Sequence, residues 1–298
     1  MSPRIVSGYG AALASALLVG LFTVLNKWLL VEHLPALTAG SYTYLAAGLA
    51  LLPWALRAKG WQVRRPWATV GWLTAGSVIG PSLYFVGLQL TSGVQGVLLI
   101  NTEAMFTAVL AFVFFRESLT RNILWGSLAI VGGAVWLSWS GSVLSSHTLG
   151  NLLIALGYLG WATENNLGRV LGEDIPAVTL VCVKALVAAA AMAILALVFH
   201  DPLRISWHVV PGIIASGAVS LGLSLALFYI AMQHIGAGRT GLLSSTATLW
   251  GGLAAVLLLG ETVTLRVVGA GALMLVGILG FSLEGTLQRT RPRPANHI

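Results

Sequence analysis

The chain has 298 residues, 57% of them hydrophobic and only 8% charged, with a formal net charge of +7. A soluble domain usually carries roughly 25% charge, so a water-soluble globule is excluded; intrinsic disorder, which needs low hydrophobicity, is excluded too. The natural unit of this chain is the membrane span, about 20 apolar residues of helix.

Apolar runs predict helices at 8–30, 36–56, 69–90, 95–115 and 122–140, then at 149–168, 177–199, 209–231, 239–259 and 266–284. The alternation of a barrel strand is absent, and a helix satisfies its own backbone in lipid. The first run contains Ala12-Leu13-Ala14, but a leader's cleavage site follows its apolar region rather than opening it. It is therefore read as helix 1. In helix 3, Pro81 follows Gly80 and removes a backbone donor, which predicts a kink. Gly217 and Gly222 supply weak points in the paired helix 8, and both helices are expected to bend during gating. Cys182 is the single cysteine, so no intrachain disulfide can form, and its apolar surroundings make it a small hydrophobe. Residues 286–298 read as a basic, disordered cytoplasmic tail.

Charge placement tests the count of spans. With the N-terminus in the cytoplasm, the inner segments hold Arg4, Arg57, Lys59, Arg64, Arg65, Arg116, Arg121, Arg169, Arg239, Arg289, Arg291 and Arg293. The outer loops hold only Arg204 and Arg266. Adding or dropping a span would scramble this bias. The expected fold is an all-α polytopic membrane protein with ten transmembrane helices and both termini inside. The basic charge is a topology signal and implies no nucleic-acid partner.

The chain also resembles itself. A shift of 144 residues lays Phe115-Arg116-Glu117-Ser118-Leu119-Thr120 on Leu259-Gly260-Glu261-Thr262-Val263-Thr264, and Gln89 on Gln233. Two units follow, 1–140 and 141–285. Each has an odd number of helices, so the second is inverted relative to the first. Two inverted halves around a midplane site are the usual basis of alternating access in transporters. Glu117 and Glu261 each precede a threonine, Thr120 and Thr264, placed to cap the next helix. This repeat motif is read as structural.

These features resemble the EamA-type transporters of the drug/metabolite transporter superfamily: two five-helix halves, each with an apolar fourth helix, a Glu, a Thr and a Gly-rich fifth helix. Within it the chain looks similar to bacterial aromatic amino-acid exporters of the YddG type. The resemblance implies helices 1–4 and 6–9 around a central cavity, with 5 and 10 at the periphery. It implies export of small organic solutes across the bacterial inner membrane, with the multidrug and organic-cation exporters of the superfamily as the alternative.

Charges inside spans are costly and tend to face a cavity. Four occur: Lys27, Glu103, Glu164 and Lys184. Glu103, near mid-membrane, is the leading candidate to meet a substrate ammonium or a coupling proton. Lys27 lies close enough to a span end to snorkel, and Glu164 and Lys184 are placed to pair with each other. Asn26, Asn165 or a free helix terminus is expected to meet a substrate carboxylate. Asn101 in helix 4 and Ser244 in helix 9 give both helices polar centres. Tyr44, Tyr84, Trp161 and Trp250 are candidates for an aromatic wall that stacks a flat ring or holds a cation.

No G-K dipeptide, H-E-x-x-H or C-x-x-C occurs, so no nucleotide, metal or redox motif points to an enzyme or to a cofactor. An intramembrane enzyme or a lipid scramblase remains as a rival class. The expected partners are a small-molecule substrate, the lipid bilayer and protons as coupling ion, for a monomer or homodimer.

Overall fold

A computed structural model describes residues 3–58, 67–115, 120–139, 145–171 and 175–290. Among them the secondary structure is helical throughout, arranged as ten rods. In chain order these are α1 (Pro3–Val31), α2 (Ala36–Arg57), α3 (Trp67–Leu90), α4, α5 (Arg121–Ser138), α6 (Ser146–Leu171), α7 (Ala177–Val198), α8, α9 and α10 (Leu265–Thr290). α4 is two segments, α4a (Gly93–Leu99) and α4b (Asn101–Phe115). α9 is likewise α9a (Ala237–Ser244) and α9b (Ala247–Leu259). α8 starts with a 3-10 turn at Trp207–Val209 and ends at Ile235, with a π-helical stretch at Ala215–Leu223.

Among the described residues, four stretches are long and apolar enough to cross a membrane by length and composition: Ile5–Val31, Gly93–Phe114, Ala177–Val198 and Trp207–Ile235. Ala247–Leu259 and Leu265–Gly280 are shorter apolar helices. α2 and α6 dilute their runs with Thr, Ser, Gly, Tyr and Asn residues, many of them buried inside the bundle. The chain is an all-α polytopic membrane protein built from a duplicated unit.

The duplication shows in the packing. α1 lies on α8 as α6 lies on α3, α1 on α9 as α6 on α4, and α2 on α8 as α7 on α3; α2–α7 and α5–α10 pair with their own counterparts. Small residues let these helices approach closely, as lipid-embedded interfaces require. α3 and α6 run antiparallel, with Gly76 beside Glu164, Gly80 beside Gly157 and Gly160, and Gly87 beside Gly150. A Cβ on Gly160 would sit 2.7 Å from the Cα of Gly80. On the outer side of the bundle, Gly133 of α5 meets Ala270 and Met274 of α10.

Two sequence expectations need correction, the continuity of two helices and the end of the last one. The runs 95–115 and 239–259 were expected as continuous helices, but both break, at Ile100 and at Ser245–Thr246. The breaks correspond at the 144-residue shift, and both are held the same way: Thr102 Oγ1 donates to the Leu99 carbonyl (2.7 Å) and Thr246 Oγ1 to the Leu243 carbonyl (2.6 Å). A hydroxyl that bonds a nearby carbonyl competes with the regular ladder. Pro81 lies inside α3, which is assigned as one helix from Trp67 to Leu90. Gly217 and Gly222, the expected weak points of α8, both fall in its π stretch. Finally, α10 continues to Thr290, so the expected tail from 286 starts later; residues 291–298 lie outside the described residues, as does Glu117.

Candidate functional site

A cavity of about 340 Å³ lies between the two halves, with walls from α1, α2, α4, α6, α7 and α8. Its lining residues run from the middle of these helices toward the end of the bundle at which α1 starts and α10 finishes. α4b begins at the helix break, which places Glu103 one residue beyond Thr102 and on the cavity wall. Asn165 of α6 donates its amide to Glu103 Oε1 at 2.7 Å. On the same wall, Lys184 of α7 forms an ion pair with Glu164 Oε2, their side chains 20% and 5% exposed. Glu164 Oε1 and the hydroxyl of Ser220 are buried without a hydrogen-bond partner. The cavity therefore presents two carboxylates, one ammonium and one unpaired hydroxyl.

The remaining wall is aromatic. Phe22, Tyr44, Tyr158, Trp161 and Tyr229 line the cavity. Trp161 and Tyr158 pack with ring centroids 5.0 Å apart, and both rest on Tyr84. Such a surface suits a flat apolar group.

Beyond the cavity, away from the termini, successive polar layers tie the helices together. Tyr84 is wholly buried and donates its hydroxyl to Thr23 Oγ1 at 2.8 Å. Asn26 Oδ1 accepts from Thr43 of α2 and Ser216 of α8, each at 2.9 Å, and its amide donates to the Phe22 carbonyl. Lys27 Nζ donates to the Leu88 carbonyl at 3.0 Å. Glu261, in the loop before α10, accepts from the backbone N–H groups of Gly93 (2.6 Å) and Val94 (2.8 Å). One half of the protein thus caps the first turn of a helix in the other.

The structure brings Glu103, Asn165, Glu164, Lys184, Tyr44 and Trp161 together. It does not bring the others. Tyr84 supports the aromatic wall from behind. Asn26 spends its carbonyl oxygen on α2 and α8 and donates its amide to its own helix, so its side chain is already engaged. Asn101 accepts from Thr248 Oγ1 (3.1 Å) and ties the two helix breaks together. Ser244 donates to its own helix at Thr240. Trp250 is 39% exposed and off the cavity wall. Lys27 is partly buried, with its ammonium on the Leu88 carbonyl near the end of α3. Thr120 and Thr264 each accept a backbone N–H of the following helix, from Ile123 (3.4 Å) and Val267 (3.3 Å).

Sequence reasoning missed Phe22, Tyr158, Ser220, Ser224 and Tyr229. Tyr158 lies one turn before Trp161, and Ser220 and Ser224 share a face at the i, i+4 spacing. The spacing was legible; which face looks inward was not.

Comparison with known proteins agrees with the duplicated architecture. The EamA-like transporter family matches this chain twice, over residues 6–139 and 148–283. An uncharacterized transporter of Methanothermobacter thermautotrophicus is 28% identical over 291 residues, covering 91% of this chain and 84% of that one. An uncharacterized protein of Pseudomonas aeruginosa is 31% identical over 220 residues, covering 70% of this chain and 75% of that one. A crystal structure of 20% sequence identity superposes with a TM-score of 0.64, covering 98% of this chain and 99% of that one. That likeness concerns the fold alone.

Proposed function

Because the chain belongs to the EamA-like transporter family, we propose that it is a secondary transporter that exports amino acids with apolar or aromatic side chains, or closely related metabolites, by alternating access. The observation that carries this reading is the cavity between the halves, with Glu103 and Lys184 on one aromatic-walled surface. A zwitterion needs one group of each sign. Glu103 meets the ammonium. Lys184, released in part from Glu164, meets the carboxylate, and the Ser220 hydroxyl adds a hydrogen bond. The volume of about 340 Å³ falls within the range of roughly 300–1,000 Å³ typical of small-molecule sites.

Alternating access follows from the inverted halves. In the state described here the end away from the termini is closed by the layers around Asn26, Lys27 and Glu261. The charge bias of the loops assigns the cavity end to the cytoplasm, in the inner membrane of a bacterium. Glu103 is the group to carry a counter-transported proton.

The test is flux of labelled amino acids into proteoliposomes holding the purified chain. Saturable uptake that unlabelled amino acids compete away, and that an opposing pH gradient accelerates, is the expected result. Flux no greater than in empty liposomes overturns the reading. The cavity's carboxylates and aromatic rings also suit an organic cation. Lys184→Ala separates the two readings: it cuts amino-acid flux, and leaves cation flux unchanged or raised.

A further inference from the structure

A second hollow, of about 240 Å³, adjoins the charged cavity between α2, α7 and α8. Val181, Leu225 and Tyr229 line both, so they form a shared partition. Beyond it the walls include Ala50, Trp54, Gly222 and Ala226, with no charged side chain among them. Ala218, Gly222 and Leu223 of the π stretch of α8 form part of its wall. The two glycines of that stretch play opposite parts. Gly217 is jammed, since a Cβ there would lie 2.1 Å from the Thr43 carbonyl oxygen. Gly222 is open, since its Cβ would meet only Ala50 Cβ at 3.6 Å among side chains. Close packing explains the first glycine and does not explain the second. π segments recur at functional sites.

We propose that this hollow is the side-chain subsite of the transported molecule. The charged head stays among Glu103, Asn165 and Lys184, and a bulky apolar side chain passes the Val181–Leu225–Tyr229 partition to lie beside Trp54 and Gly222. This rests on the zwitterion reading for the head group. The occupant is argued from continuity: the hollow's own lining carries no charged side chain, whereas Glu103, Glu164 and Lys184 line the cavity across the partition, so a molecule filling both is polar at one end and apolar at the other. The substrate class narrows to amino acids with large apolar side chains.

The experiment is ligand-induced stabilisation of the purified full-length chain, which follows affinity. The probes are tryptophan, alanine, tryptamine and 3-indolepropionate. The variants are Gly222→Phe and Ala226→Leu, which narrow the hollow, and Gly222→Ala, which fits. A single methylene in an apolar pocket changes discrimination by about 10–200-fold. Gly222→Phe and Ala226→Leu are therefore expected to weaken tryptophan about tenfold or more, with alanine and the Gly222→Ala variant within about threefold of the parent. Unchanged tryptophan affinity in both narrowed variants overturns the proposal, and is the result expected if a lipid acyl chain fills the hollow. Equal losses for tryptophan and alanine overturn it too. If the parent binds tryptamine or 3-indolepropionate but not tryptophan, and Gly222→Phe weakens that binding, the subsite stands while the zwitterion reading falls. If no indole compound binds the parent, the subsite falls.

Discussion

At the scale of single residues, the chemistry is concentrated in two pairs facing one cavity, Glu103–Asn165 and Lys184–Glu164. Glu103→Gln keeps the hydrogen bond to Asn165 but removes the charge and the titratable proton. It is expected to fold normally, lose most amino-acid flux and lose acceleration by a pH gradient, as read in proteoliposomes. Unaltered flux and pH response would remove Glu103 from the mechanism. The second pair is also structural. Removing one partner of a buried ion pair costs about 3–5 kcal/mol, whereas replacing both by apolar residues is often neutral. Lys184→Met alone should therefore lower the unfolding temperature in detergent, and Lys184→Met with Glu164→Leu should restore it, while neither restores transport.

At the scale of elements, the fourth helix of each half is broken and the third helix of the second half is π-wound. The breaks put Glu103 at the start of a helix and let Thr102 and Thr246 bond the preceding turn. The π stretch holds Gly217 against α2, so Gly217→Ala overpacks that contact and should destabilise by about 1–3 kcal/mol, measured by thermal unfolding. The loop before α10 acts as a clasp on α4a. Glu261→Ala strands the N–H groups of Gly93 and Val94, and lost hydrogen bonds to a charged group are worth about 1.5–3 kcal/mol each. A drop of about 3 kcal/mol or more in stability is expected for the two bonds together, and the accessibility of a cysteine introduced at that end of the bundle should rise.

For the whole molecule, the organising feature is the inverted duplication. Each main contact of the first half has a counterpart in the second, and α2–α7 and α5–α10 sit on the pseudo-axis. Substitutions at the contact of Gly20 with Gly251 should therefore impair transport much as substitutions at its counterpart between α6 and α4 do. Topology is checked independently. Reporter fusions at the N-terminus and after residue 290 should both be active only in the cytoplasm; a split result would refute the charge-based orientation.

Composition and the placement of a few charges determined by themselves that the chain is polytopic, that it has ten helical rods, and that it is duplicated with the halves inverted. The first two follow from local physics, since lipid penalises every unpaired backbone group and every charge within reach of its tails; the duplication is read from the 144-residue self-similarity, and the inversion from the odd number of helices in each half. The same scarcity of charge singled out Glu103, Glu164 and Lys184. Only the tertiary structure decided which polar residues face the cavity and which are spent elsewhere. Asn26, Asn101, Tyr84 and Ser244 looked as available as Asn165 and Trp161, because a polar group in a span either faces a cavity or bonds another helix, and a single helix does not reveal its neighbours. The breaks in α4 and α9 were hidden for the same reason. A break is stable only where threonine hydroxyls and a crossing helix satisfy the freed backbone, and those partners come together only in the folded protein.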